Sequence, residues 1–199
     1  PAPNVEVPNL PAAVAATSLY CDPDWSCSQY MSADAGSPFT WDDYQVQERI
    51  DHVDGMTVEE ADHMTATRLY QNTAKVHFNQ HTEGQGRFGR RLVYGGHVIS
   101  IVRAATFNGL GNAFRIAAIN GGRHVAPIFA GDTVYAWSEV LERLSLTGRD
   151  DVGALRLRTV GVKNRACDDF PFKDANGNYV DDVVLDFDYT VLMPTRASI

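Results

Sequence analysis

One segment of helical period, followed by three of period two, limits this chain more than any other feature. Val98, Ile101, Val102 and Ala105 fall at i, i+3, i+4 and i+7, so they share one face of a helix. Ile99 widens that apolar stripe, which predicts a helix buried on most of its sides. Gly95-Gly96 precedes the run, and Asn108-Gly109 with Gly111 marks its end. After it the period becomes two. Thr133 to Leu141 is rich in β-formers, and Leu155, Leu157 and Thr159 alternate with Arg156 and Arg158. Val183, Leu185, Phe187, Tyr189 and Val191 alternate with Asp182, Val184, Asp186, Asp188 and Thr190. Alternation of this kind predicts half-buried antiparallel strands. Asp174-Ala175-Asn176-Gly177-Asn178 supplies a turn before the last of them. A curved antiparallel sheet around one long central helix, an α+β fold, satisfies this order.

Upstream signals are weaker. Tyr44 to Ile50 reads as a first strand. Thr57 and Glu60 have capping-box spacing, which predicts a helix over about Val58 to Leu69. Residues 1–39 differ from the rest. Pro1, Pro3, Pro8 and Pro11 punctuate an Ala- and Val-containing stretch, and proline fixes φ and removes donors. This region is expected to be an extended linker or arm, with the folded domain over residues 40–199.

Composition removes several function classes. A net charge of -8 over 199 residues argues against general nucleic-acid binding, because phosphate contacts need Lys and Arg. No apolar run of about 18 residues occurs, so no membrane span is expected. Residues at the start lack the charged and apolar regions of a signal peptide. Cys21, Cys27 and Cys167 are odd in number and form no C-x-x-C, which predicts free thiols in a reducing, cytoplasmic compartment.

Of the six histidines, His52, His63, His77, His81, His97 and His124, spacing singles out His77. It follows the predicted first helix, among the amides of Gln71, Asn72 and Asn79. Downstream, Gly95-Gly96 either leaves free N–H groups at a helix start, able to stabilise an oxyanion, or serves tight packing. His52 and His63 fit no closed zinc spacing with His77, so no metal is expected. Arg87, Arg90 and Arg91 lie in a Gly-rich loop without a nucleotide-binding pattern. They suit either an anionic substrate group or salt bridges. Arg123 and His124 precede Ala130-Gly131-Asp132, which reads as a turn into a strand.

Arg87-Phe88-Gly89, Val93-Tyr94-Gly95-Gly96-His97 and Pro127-Ile128-Phe129-Ala130-Gly131-Asp132-Thr133-Val134 together resemble the MaoC-like, R-specific enoyl-CoA hydratases of the hot-dog superfamily. Further stretches look like the mesaconyl-CoA hydratase (β-methylmalyl-CoA dehydratase) subgroup. They are Ile50 to Thr57, Ala66 to Ala74, Val76 to Asn79, Tyr135 to Glu139, Gly153 to Arg156 and Asp186 to Pro194. The resemblance implies a hot-dog fold and reversible addition of water to an enoyl-CoA, mesaconyl-CoA first. No metal or redox cofactor is implied, since coenzyme A is part of the substrate. Subgroup members carry two hot-dog halves. This chain resembles the second, and its partner is expected to be an N-terminal half on a separate chain or a homodimer mate. The family motif Asp-x-Asn-Pro-x-His falls on Asn72 to His77, with Asn72 at the Asp position and Ala74 at the Asn position. It implies His77 as the base and Gly96 N–H at the thioester oxygen. Asn72 would hold water, because an amide cannot take its proton. Tyr94, Gly95 and Asn79 are expected to shape the substrate site, and Arg87 or Arg123 to clamp a substrate carboxylate. The alternatives are a non-catalytic acyl-CoA-binding or scaffold half, and an acyl-CoA thioesterase.

Overall fold

In the computed structural model, which describes residues 5, 6 and 8–198, a six-stranded antiparallel sheet packs one face onto a single long helix. The strands are β1 (Arg49–Asp51), β2 (Met56–Thr57), β3 (Arg115–His124), β4 (Thr133–Ser145), β5 (Val152–Lys163) and β6 (Val183–Pro194). Their order is β1-β4-β5-β6-β3, and β2 also pairs with β4. The helices are α1 (Glu60–Leu69), α2 (Gln80–Glu83), α3 (Gly95–Ala105) and a kinked turn, α4 (Phe107–Leu110). This is the hot-dog arrangement the sequence led us to expect.

The predicted apolar stripe is what α3 buries. Val98, Ile101 and Val102 are buried with Leu155 and Leu157 of β5 and Leu185, Phe187, Tyr189 and Val191 of β6. The helix lies close because Gly161 in β5 offers no side chain: a Cβ there would sit 2.6 Å from Val102 Cγ2. On the other face of the sheet, Leu19, Cys21, Cys27 and Tyr30 pack against Leu146, Val152, Ala154 and Leu192. Phe170, Phe172 and Tyr179 pack near Trp137, Val160 and Val162. Both faces of β5 and β6 are therefore mostly covered, whereas the alternation alone predicted one.

Four expectations shift. The first strand is shorter, Arg49–Asp51. The capping box does not form. Thr57 belongs to β2, its hydroxyl lies 2.8 Å from that of Thr133, and α1 begins at Glu60 with Glu59 as N-cap. Sheet pairing outcompetes the cap because Val58 N–H and C=O are also taken by Asp132 and Gly131. Val183 does not share a face with Leu185. The β5–β6 register skips Val184 between Gly161/Leu185 and Val162/Val183, a bulge that turns Val183 toward Trp137. The arm, finally, has little regular structure, as expected, but it is docked. Asp151 accepts from Cys27 N–H, and Arg149 donates to the carbonyls of Asp22 and Trp25. Pro1 and Pro3 lie outside the described residues.

A row of buried polar groups runs from His52, just after β1, across β4, β5 and β6. His52 Nδ1 donates to Asn108 O at 2.5 Å, so its Nε2 accepts from Ser138 Oγ at 2.7 Å. Ser138 then accepts from Thr159 (2.8 Å), and Thr159 from the buried Tyr189 hydroxyl (3.0 Å). Protonating His52 would make Nε2 a donor to Ser138 and force the hydroxyl bonds beyond it to reverse, while Nδ1 still donates to Asn108 O. Burial pushes His52 down to about 4, from an ordinary value of ~6.5. The unfolded chain therefore binds this proton more readily than the native one. Stability from neutral His52 is complete above about pH 6.5 and is lost as pH falls toward 4. We predict that unfolding free energy drops by ~2–3 kcal/mol between pH 7.5 and 4.5 from this group. Denaturant titrations of wild type and His52→Gln check it; an equal pH dependence in both would refute the assignment.

Candidate active site

His77 ends a short 3₁₀ turn, Lys75–His77, that follows α1. The chain reverses there because Gln71 takes a left-handed φ of 53° and Asn72 N–H reaches back to Thr67 O at 3.0 Å. Asn72 Oδ1 accepts from Ala74 N–H at 2.8 Å, a local turn that sets up the next three residues. Leu92 then pins the histidine. Its N–H donates to Val76 O and its carbonyl accepts from His77 Nδ1, both at 3.0 Å. A carbonyl only accepts, so the neutral ring carries its proton on Nδ1. The Nε2 lone pair is left free to act as a base.

His77 lines a cavity of about 250 Å³ with Leu92, Val93, Gly95, Val98, His124, Ala126, Pro127 and Ile128. The wall is largely apolar, which strengthens any hydrogen bond made inside it. At the start of α3, the N–H groups of His97 and Val98 turn to Tyr94 O. Those of Gly95 and Gly96 have no acceptor among the described residues. Gly95 borders the cavity, whereas Gly96 lies beneath the Tyr94 ring, whose edge would be 2.6 Å from a Cβ at that position. Tyr94 also meets His77 edge-on at 5.7 Å between ring centroids.

The remaining predicted site residues fall outside the cavity lining. Asn79 caps α2, accepting from Thr82 N–H. Arg87 is exposed and lies over its neighbour Phe88. Arg123 points away, toward Tyr179 and a groove shared with Arg158, Asp186 and Asp188. Consecutive strand residues face opposite sides, so it is His124 that enters the cavity. Arg90 stacks on Phe129, and Arg91 pairs with Glu60. These loop arginines follow the salt-bridge and packing alternative. His52 is remote from the cavity lining and has both ring nitrogens occupied.

Two features were not legible in advance. The sequence marks His124 only as one of six histidines, ahead of the turn at Ala130-Gly131-Asp132. Asn120, Gly121 and Gly122 hide the strand period of β3, and only a strand register separates His124 from Arg123. The second feature is a tether. Glu60 on α1 accepts from Arg91 Nη2, and its Oε2 lies 3.1 Å from Nε2 of the fully buried His63. Burial lowers the His63 pKa despite Glu60. Arg91 adjoins Leu92, so α1 is tied to the carbonyl that orients His77. We predict that Glu60→Gln speeds hydrogen exchange at the Leu92 amide by up to about fivefold, the equivalent of ~1 kcal/mol for a partly exposed pair. Unchanged exchange there would show that the tether does not hold the segment.

No family model matches the chain. It is 63% identical to a β-methylmalyl-CoA dehydratase of Chloroflexus aurantiacus and 52% identical to a mesaconyl-CoA hydratase of Cereibacter sphaeroides, in each case over 98% of its length. The chain spans about half the length of these relatives, 56% and 55%. A solved structure described as a MaoC-domain dehydratase protein from Chloroflexus aurantiacus matches with a TM-score of 0.93 at 63% identity, over 98% of this chain and 56% of that one. Fold and sequence together define a hot-dog domain, and the chain belongs to the MaoC-like family. Within that family its sequence stands with the relatives named for β-methylmalyl-CoA dehydration and mesaconyl-CoA hydration.

Proposed function

We propose that this chain carries the site of a hydro-lyase that adds or removes water across the α,β double bond of an enoyl-CoA, with mesaconyl-CoA and β-methylmalyl-CoA as the substrate pair. The observation that carries the reading is the tautomer lock on His77: the Leu92 carbonyl takes Nδ1–H and leaves Nε2 as a base in an apolar cavity. In the hydration direction, Nε2 takes a proton from water as the water oxygen bonds to the β-carbon. The double-bond electrons move to the thioester oxygen, where the free N–H groups at the start of α3 stabilise the enolate. Collapse of the enolate takes a proton onto the α-carbon, returned by His77. Dehydration runs the same steps backward. Asn72 Oδ1 already accepts from Ala74 N–H and its Nδ2–H₂ is free to donate to the water, but an amide cannot receive the water's proton.

The reaction needs no metal or redox cofactor, and coenzyme A enters as part of the substrate. A cavity of this size holds an acyl group but not a coenzyme. The active unit in this reading is a pair of hot-dog halves, this one with an N-terminal half or a second copy, in keeping with a chain that spans about half the length of its relatives. Strand β3 supports that reading: among the described residues it ends the sheet and pairs only with β6, and it exposes Ile116 and Ile119. Among the described residues no helix is long and apolar enough to cross a membrane. The free cysteines suit the cytoplasm. One observation favours a non-catalytic acyl-CoA-binding half instead: the motif carboxylate position is Asn72.

His77→Ala in the assembled pair is expected to lower hydration of mesaconyl-CoA by about 10²–10⁴-fold, with folding unchanged. Loss of the enoyl absorbance measures it. A folded variant with near wild-type turnover would place the chemistry elsewhere and leave this half as the scaffold.

A further inference from the structure

His124 has no role in the reaction as derived above, yet it shares the His77 cavity. Its ring lies against the start of α3. A Cβ on Gly95 would be 2.6 Å from His124 Nε2 and 3.0 Å from Cε1. The glycine thus lets an imidazole edge come up beside an amide N–H that has no acceptor among the described residues. His124 is an exposed residue whose ring edge borders the cavity, and neither ring nitrogen has a hydrogen-bond partner among the described residues. No charged group acts on it, and desolvation alone moves its pKa, downward. A helix N-terminus also disfavours a cation there. Both effects keep the ring neutral near pH 7, so it is a hydrogen-bond donor that brings no formal charge.

We infer that His124 is a second donor of this site: carrying its proton on Nε2, it holds the thioester oxygen together with the Gly95 amide as that oxygen gains negative charge. The inference rests on the hydratase reading. It adds a side-chain donor to that reading, in which only backbone N–H groups at the start of α3 hold the developing enolate. Two donors from different elements, a helix start and a strand end, fix the oxygen between them. The proton stays on His124 throughout; His77 alone exchanges a proton with water and the α-carbon.

The test has a kinetic arm and a spectroscopic arm, both on the assembled pair with mesaconyl-CoA as the probe. His124→Ala is expected to lower kcat by about 10²-fold while KM changes by no more than about threefold, because the lost interaction forms in the transition state. His124→Gln, which keeps an N–H donor on a similar reach, should recover about tenfold of that loss. In the spectroscopic arm His77→Ala prevents turnover, and bound mesaconyl-CoA should show an enoyl band moved to longer wavelength by polarisation of its carbonyl. Adding His124→Ala should remove the shift. A kcat within about threefold of wild type, or a shift that survives His124→Ala, overturns the role. The two readings fail separately. If His77→Ala retains turnover while kcat still falls about 10²-fold in His124→Ala, the hydratase assignment of His77 falls and the oxygen-binding role of His124 stands. If His77→Ala is inactive and His124 affects neither kcat nor the shift, only the present inference falls.

Discussion

The close seat of α3 on the sheet is the contact from which the rest of the structure follows. Val102 comes down where Gly161 leaves the strand bare, and Val98 and Ile101 bury beside it. A buried aliphatic side chain stabilises by about 1.5–3 kcal/mol, so this face of the helix cannot be lifted cheaply. Seating the helix fixes where its first turn lies. Val93 N–H then binds Ile128 O, which closes the segment before α3 onto the chain that leaves β3. The cavity is the gap left between these two tied segments and the turn that carries His77.

Burial disfavours charge on His124 at that gap and on two histidines outside its lining. Burial lowers the pKa of His63, His97 and His124. The arginines are engaged elsewhere: Arg91 with Glu60, Arg156 with Asp188 and Glu142, Arg158 with Asp186. In the proposed reaction charge appears only transiently on a thioester oxygen, and uncharged donors such as the free N–H groups at the start of α3 suit that. Fixed dipoles in an apolar wall stabilise such a charge without first having to be stripped of water. A permanent cation at the same place would also hold the ground state, which does not speed the step.

Long, strongly periodic segments were readable in advance because each side chain in them reports the same buried face. That is true of α3, of β5 and of most of β6. Legibility failed where tertiary contacts competed with local signals. Thr57 carried capping-box spacing, but β4 offered it a strand partner. Val184 broke the alternation because a bulge was inserted opposite Gly161 and Val162. In β3 the Asn120-Gly121-Gly122 stretch has too little apolar content to show a period, so the side on which Arg123 and His124 fall was open.

The same division holds at the site. By itself the sequence determined the fold class and the helix that the sheet covers, and the family resemblance offered His77 and Gly95-Gly96 as candidates for the chemistry. Periodicity and motif spacing are properties of the chain alone, so they survive without coordinates. Only the tertiary structure decided that Leu92 sets the tautomer of His77, that Asn72 Oδ1 is used by a turn, and that His124 rather than Arg123 faces the cavity. Each of these depends on which way a side chain or carbonyl points between segments distant in sequence. That direction is fixed by register and packing, which no local pattern encodes.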